Sequence, residues 1–173
     1  RLTLARIPWA YHHTSMDDLS PEGRAWVETY QPEAKGLRFL GSTGRGKTHR
    51  MLCAVRGLCE RGISARYVSW ALWLDDMRQA MGRDNDVAAL KARIERPAVV
   101  ALDDIGRERD TDWAQSQLDQ LLERRTLSGG TVLIASNLTD EGLEMHLGDR
   151  LWSRIKTSTR PVLMTGKDWR TTR

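Results

Sequence analysis

The sequence predicts an α/β fold, a parallel sheet with helices on both faces. Three features point to it. From residue 37 onward, short apolar runs alternate with stretches of helical periodicity, the signature of successive βαβ units. The octapeptide GSTGRGKT, Gly41 to Thr48, stands where the first strand hands over to the first long helix. A four-residue apolar run, Val99 to Leu102, ends in two carboxylates, Asp103 and Asp104; a buried strand of this kind delivers its acids to the sheet edge where open α/β folds bind ligands.

The elements follow in order. Residues 1–36 carry Pro8, Pro21 and Pro32 among polar residues and read as a leader or linker, with one short helix over Pro21–Tyr30. Residues 37–173 form the remaining domain, beginning with strand Leu37–Leu40. Helix Lys47–Arg61 follows the octapeptide and is stopped by Gly62. Strand Ser64–Val68 leads to helical stretches over Ala71–Met81 and Asp86–Ile94, the second ended before Pro97. Strand Val99–Leu102 precedes helix Thr111–Thr126, which stops near Gly129-Gly130. Strand Thr131–Ala135, a polar helical region over Asp140–Arg154 and a last strand, Pro161–Met164, complete the chain.

Composition sets outer bounds. The 173 residues suit one domain with a sizeable core, and 40% hydrophobic with 29% charged residues is ordinary for a globular protein. No apolar run approaches a membrane span and no export leader opens the chain, so a cytoplasmic protein without membrane contact is expected. Because the chain opens on Arg1, a preceding domain stays open. Cys53 and Cys59, six apart, suit two reduced thiols better than a bridge or structural zinc. The net charge of +4 comes from 22 arginines against five lysines. That surplus is compatible with a nucleic-acid partner and equally with a solvated surface.

The octapeptide matches the phosphate-loop pattern G-x-x-x-x-G-K-[ST] at every position. Gly41, Ser42, Thr43, Gly44, Arg45 and Gly46 would wrap their backbone N–H groups around a triphosphate, aided by the helix dipole. Lys47 would hold the β- and γ-phosphates and the Thr48 hydroxyl a magnesium ion. ATP or ADP with Mg2+ is therefore the expected cofactor. Asp103 would act on the same ion. Asp104 would polarise the attacking water, in a role where many phosphate-loop ATPases use glutamate. Asn137, at the end of the apolar strand 131–135, is placed to orient that water or touch the γ-phosphate; asparagine there is also a common turn former.

With these motifs in order, the chain resembles the AAA+ ATPases of the DnaC/DnaI helicase-loader and IstB transposition-helper group. The resemblance runs from RIPWAY at Arg6–Tyr11 through LGSTGRGKTH, ALDDIGRERDTDW, LLERRT, LIASNLT and GDRLWSRI to GKDWR. It implies a P-loop NTPase of the AAA+ ASCE type with five parallel strands in the order 5-1-4-3-2. It also implies ATP bound between the subunits of a homo-oligomer, and action with single-stranded DNA or a replicative helicase. By matching motif, Asn137 is the sensor-1 residue, Arg154 the arginine finger given to a neighbouring subunit and Arg170 the sensor-2 arginine. Arg150 reads as structural or interfacial, Arg125 as an interface candidate, and the leader around Ile7–Tyr11 as a cover for the adenine.

Departures from the family pattern are Arg45, where a small residue is usual, and Arg50 after His49. The helical pair at residues 70–95 corresponds to the insertion that lines the central channel of such assemblies. Arg78, Arg83, Lys91, Arg93 and Arg96 on or near it form a candidate DNA track, and Trp70 and Trp73 read as core more readily than as stacking faces. A slow, partner-stimulated ATPase that loads a helicase is the leading expectation. The alternatives are a transposition helper, a nucleotide-switched module without hydrolysis and, more remotely, a small-molecule kinase.

Overall fold

The computed structural model describes residues 5–108, 111–162 and 164, apart from the side chains of Asn85 and Thr111. Five parallel strands form one sheet: β1 (Gly36–Leu40), β2 (Ala65–Ser69), β3 (Val99–Ile105), β4 (Thr131–Ser136) and β5 (Thr159–Val162). Their spatial order is β2-β3-β4-β1-β5, the expected 5-1-4-3-2 read from the other edge. Among the described residues, these α-helices accompany them: α1 (Pro21–Glu28), α2 (Lys47–Glu60), α3 (Trp70–Ala80), α4 (Asp84–Glu95), α5 (Thr111–Leu127), α6 (Asp140–Leu147) and α7 (Asp149–Ser158).

Strand alternation divides the core into two layers. Val100, Leu102, Val132 and Ile134 pack with α3 to α7, whereas Val99, Ala101, Leu133 and Ala135 pack with α2, α1 and the leader. All six residues of β4 are buried, as expected for a central strand covered on both sides. The leader joins this core through Ile7, Leu19, Trp26, Val27 and Tyr30. Trp26 Nε1 donates to the Lys35 carbonyl at 2.8 Å, and the Arg61 guanidinium on α2 donates to the Val27 carbonyl.

Local chemistry sets the boundaries. Pro21 occupies the first turn of α1, and the Ser20 hydroxyl accepts from Gly23 N–H. Thr139 caps α6 in the same way. The polar helical region expected over residues 140–154 is two helices, because Gly148 adopts φ 77°, ψ 160° and breaks the ladder. The last strand begins at Thr159, two residues earlier than the sequence suggests, with Gly36 paired to Thr159 and Phe39 to Val162. Pro161 is tolerated because β5 is an edge strand.

Arg38 lies in β1 and is nearly buried. Its guanidinium meets both carboxylate oxygens of Asp140, at 3.1 and 3.0 Å, and donates to the Thr159 carbonyl. This bidentate pair ties α6 and β5 to the centre of the sheet.

Gly36 is required by close approach. A Cβ there would lie 1.7 Å from the Val132 carbonyl oxygen. Gly36→Ala is expected to destabilise the fold by about 3 kcal/mol or more, since backbone must move; a chemical denaturation midpoint unchanged from the parent would contradict this packing.

Candidate functional site: a phosphate cradle facing paired acids

The loop between β1 and α2 turns on glycines. Gly41, Gly44 and Gly46 have φ of 125°, 87° and 76°, conformations that L side chains avoid. Gly46 caps α2 in the left-handed region, so the first turn of that helix opens onto the loop. Lys47 is only 6% exposed. Its ammonium spans the loop and donates to the carbonyls of Gly41 at 2.7 Å and Ser42 at 2.8 Å. Arg45 is exposed, and its Nε donates to Ser42 Oγ at 3.4 Å.

Thr48 Oγ1 donates to Asp103 Oδ2 at 2.9 Å, and the Tyr67 hydroxyl to the same oxygen at 3.0 Å. Burial raises the pKa of Asp103; the bonds from Thr48 and Tyr67 pull it back, and the neighbouring Asp104 adds to the rise. Burial also raises the pKa of the Tyr67 phenol, and the Asp103 charge adds to it, so the phenol remains a donor. Asn137 Nδ2 donates to Asp104 Oδ1 at 3.0 Å. Arg107 reaches the other carboxylate oxygen at 3.3 Å, and Thr43 Oγ1 approaches Asn137 Oδ1 at 3.4 Å.

Two consecutive strand residues ordinarily face opposite sides of a sheet. Asp103 and Asp104 escape this rule through a bulge. Leu102 pairs with Ile134 and Ile105 with Ser136, so β3 spends three steps where β4 spends two. Asp104 takes up the extra residue with φ 62°, a left-handed conformation that aspartate tolerates better than most residues. Both carboxylates therefore enter one cleft of about 740 Å3. Thr43, Gly44, Gly46, Lys47 and Thr48 line it on one side, and Tyr67, Asp103, Asp104, Arg107 and Asn137 on another. Ala10, Tyr11 and His13 bring the leader to its rim.

The structure thus gathers the loop, both acids and Asn137 at the carboxyl ends of β1, β3 and β4. Tyr67 and Arg107 join them without having been singled out in the sequence. The signal for Tyr67 was its place near the end of a strand; Arg107 lies three residues past Asp104. A hydroxyl and a buried carboxylate 2.9 Å apart beside the loop are hard oxygen donors suited to magnesium.

Arg154 is not part of this cleft. It lies on α7, where Nη1 donates to Asp119 Oδ1 at 2.8 Å and approaches Glu123 Oε2 at 3.7 Å. Arg150 meets the same Asp119 at 3.4 Å. Arg170 lies outside the described residues. Arg125 is a correction: it is 2% exposed and donates to the carbonyls of Glu95, Pro97, Ala98 and Thr131. It gathers the entries to β3 and β4 and offers nothing to an interface. Trp70 and Trp73 are buried and stacked on each other, with ring centroids 5.0 Å apart, so neither presents a face to a base. Among the described residues, no helix is long and apolar enough to cross a membrane.

The family model for IstB-like ATP binding proteins matches residues 19–155. The phage-like element PBSX protein XkdC of Bacillus subtilis is 30% identical over 128 residues, covering 69% of this chain and 46% of that protein. The replicative helicase loader DnaC of Buchnera aphidicola subsp. Baizongia pistaciae is 25% identical over 135 residues, 77% of this chain and 55% of the loader. The chain thus spans about half the length of these curated relatives. A crystal structure of the DnaC helicase loader superposes with a TM-score of 0.80 at 24% identity, covering 89% of this chain and 98% of that one. The chain belongs to the family of IstB-like ATP binding proteins, built on the P-loop fold of the AAA+ ATPases.

Proposed function

We propose that this chain binds Mg-ATP in the cleft and hydrolyses it slowly while acting on a replicative helicase and single-stranded DNA. Residues 37–173 would be the ATPase unit and 1–36 its leader. The observation that carries the reading is the convergence of Lys47, Thr48, Asp103, Asp104 and Asn137 on one cleft.

Lys47 would exchange the Gly41 and Ser42 carbonyls for phosphate oxygens, with the loop amides and the α2 dipole completing the cradle. Thr48 and Asp103 would hold magnesium, which when bound neutralises charge on the phosphate oxygens. Asp104 would accept the proton of the attacking water as the water oxygen bonds to the γ-phosphorus and the bridging oxygen leaves with ADP. Asn137 positions Asp104 through its 3.0 Å bond and would touch the γ-phosphate. Arg154 would release Asp119 and enter a neighbouring subunit's site, making a homo-oligomer the active form, and Arg170 would answer in its own subunit.

The names of the relatives and the distribution of charge support this choice of partner. The α3–α4 hairpin carries Arg78, Arg83, Lys91, Arg93 and Arg96, a track for a phosphate backbone. Arg78 and Arg83 are already engaged by Asp75 and Asp86, which leaves the larger share to Lys91, Arg93 and Arg96. A second reading, a transposition helper, is favoured by the family match itself. Pull-down of the cognate replicative helicase with ATP but not ADP supports the loader. Filaments on duplex DNA with no helicase capture support the helper instead.

The short side chain of Asp104 should limit turnover. Asp104→Glu is expected to raise DNA-stimulated phosphate release by about tenfold. It should also lower stability by about 1 kcal/mol, because glutamate fits φ 62° less well. Slower release in a folded variant would argue against Asp104 as the base.

A further inference from the structure

Beside the phosphate loop, three side chains from two stretches of sequence meet. Asp18 ends a 3-10 turn of the leader, Met16–Asp18; His49 and Cys53 lie one turn apart on α2. His49 Nε2 stands 3.0 Å from Asp18 Oδ2, and Cys53 Sγ stands 4.0 Å from the same oxygen. One nitrogen, one sulfur and one oxygen all lie within 4.8 Å of one another. Cys53 is fully buried and His49 largely so. In a tetrahedral zinc site with bonds of about 2.0–2.3 Å, ligand atoms stand about 3.3–3.8 Å apart, so side-chain adjustments of up to about 1 Å close this set, whose donor atoms lie within 4.8 Å of one another, around an ion.

We propose that Asp18, His49 and Cys53 form a binding site for a zinc-class transition metal that fastens the leader to the helix of the phosphate loop. The donor set selects the metal: thiolate and imidazole suit zinc and disfavour magnesium, which takes oxygen donors. The fourth position falls to water or to His13, whose ring centroid stands 5.9 Å from that of His49. Asp18 can serve while keeping the Ser15 N–H, because a carboxylate offers about four lone-pair sites. Cysteine spacing in the sequence gives no hint of the site, since only one cysteine takes part and its partners come from two other positions.

Binding requires the Cys53 thiol to lose its proton to solvent as the sulfur–metal bond forms. Metal and proton therefore compete for the sulfur, so affinity should climb with pH. The site would couple the leader, which reaches the rim of the cleft at Tyr11 and His13, to the first turn of α2.

The test is a cobalt(II) titration of the reduced, full chain without nucleotide and with excess magnesium, followed by displacement with zinc. The expected result is one cobalt per chain, with a sulfur-to-cobalt charge-transfer band in the near ultraviolet and tetrahedral visible bands. Cys53→Ser should abolish the charge-transfer band, and Asp18→Asn should weaken zinc by about tenfold or more. Lys47→Ala should bind cobalt as the parent does, which separates metal binding at this site from nucleotide binding. Zinc-edge X-ray absorption of the unaltered protein provides a readout independent of any variant, with one sulfur among nitrogen and oxygen ligands expected. Absence of stoichiometric binding, a spectrum unchanged by Cys53→Ser, or a zinc shell without sulfur would each overturn the proposal.

Discussion

Lys47→Ala is expected to weaken ATP binding by about 2–5 kcal/mol, the range for truncating one partner of a desolvated charge pair, or roughly 30- to 4,000-fold in Kd. Lys47 is 6% exposed and held by two loop carbonyls, so its charge is already largely desolvated within the loop, and exchange of those carbonyls for phosphate oxygens pairs it with an opposite charge. The fold should survive, because Gly41 is partly exposed and Ser42 exposed, so their carbonyls can take water. Calorimetric titration with ATP and magnesium, paired with a thermal melt of the variant, reads both quantities. Parent-like affinity in a folded Lys47→Ala protein would move the nucleotide elsewhere.

Arg154→Ala should do the opposite: nucleotide affinity close to the parent's, and DNA-stimulated turnover lower by about 10³-fold or more, the size reported for an arginine supplied in trans to a transferring phosphoryl group. In its own chain Arg154 is anchored to Asp119 at 2.8 Å, away from the cleft that holds Lys47 and Asp104. A mixing experiment separates the trans role from a structural one. Lys47→Ala subunits retain Arg154, and Arg154→Ala subunits retain an intact cradle, so mixing two inactive variants should restore part of the turnover. A mixture as inactive as its components, with oligomers present, would remove the finger assignment.

The strand ends and the loop were legible in the sequence because each relies on a local rule: glycines where φ is positive, an apolar run of strand length, and polar residues where the run stops. Asp103, Asp104 and Asn137 could be named for that reason. What brings the two acids together was not legible. A regular strand would have turned one of them away, and the bulge depends on how β3 registers against β4. Tyr67 shows the same limit: it joins Asp103 across 36 positions, through pairing between β2 and β3 that no local pattern encodes.

Arginines were the hardest residues to read. Arg125 reads as an interface candidate and Arg38 has no assigned role in the sequence, yet each is buried against oxygens supplied by distant segments. Arg125 follows a helical pattern with no sign that the starts of two strands converge on it. The break at Gly148 was likewise missed, since Leu143, Leu147, Leu151 and Ile155 continue one i,i+4 apolar stripe across it with no slip of phase.

A crystal structure with magnesium and a non-hydrolysable ATP analogue tests the central claim most directly. The account predicts the triphosphate in the loop of residues 41–48, its terminal phosphate in contact with Lys47, and an ion bound by Thr48 on the side of Asp103. A terminal phosphate lying away from Lys47, or Asp103 and Asp104 turned out of the cleft, would contradict it.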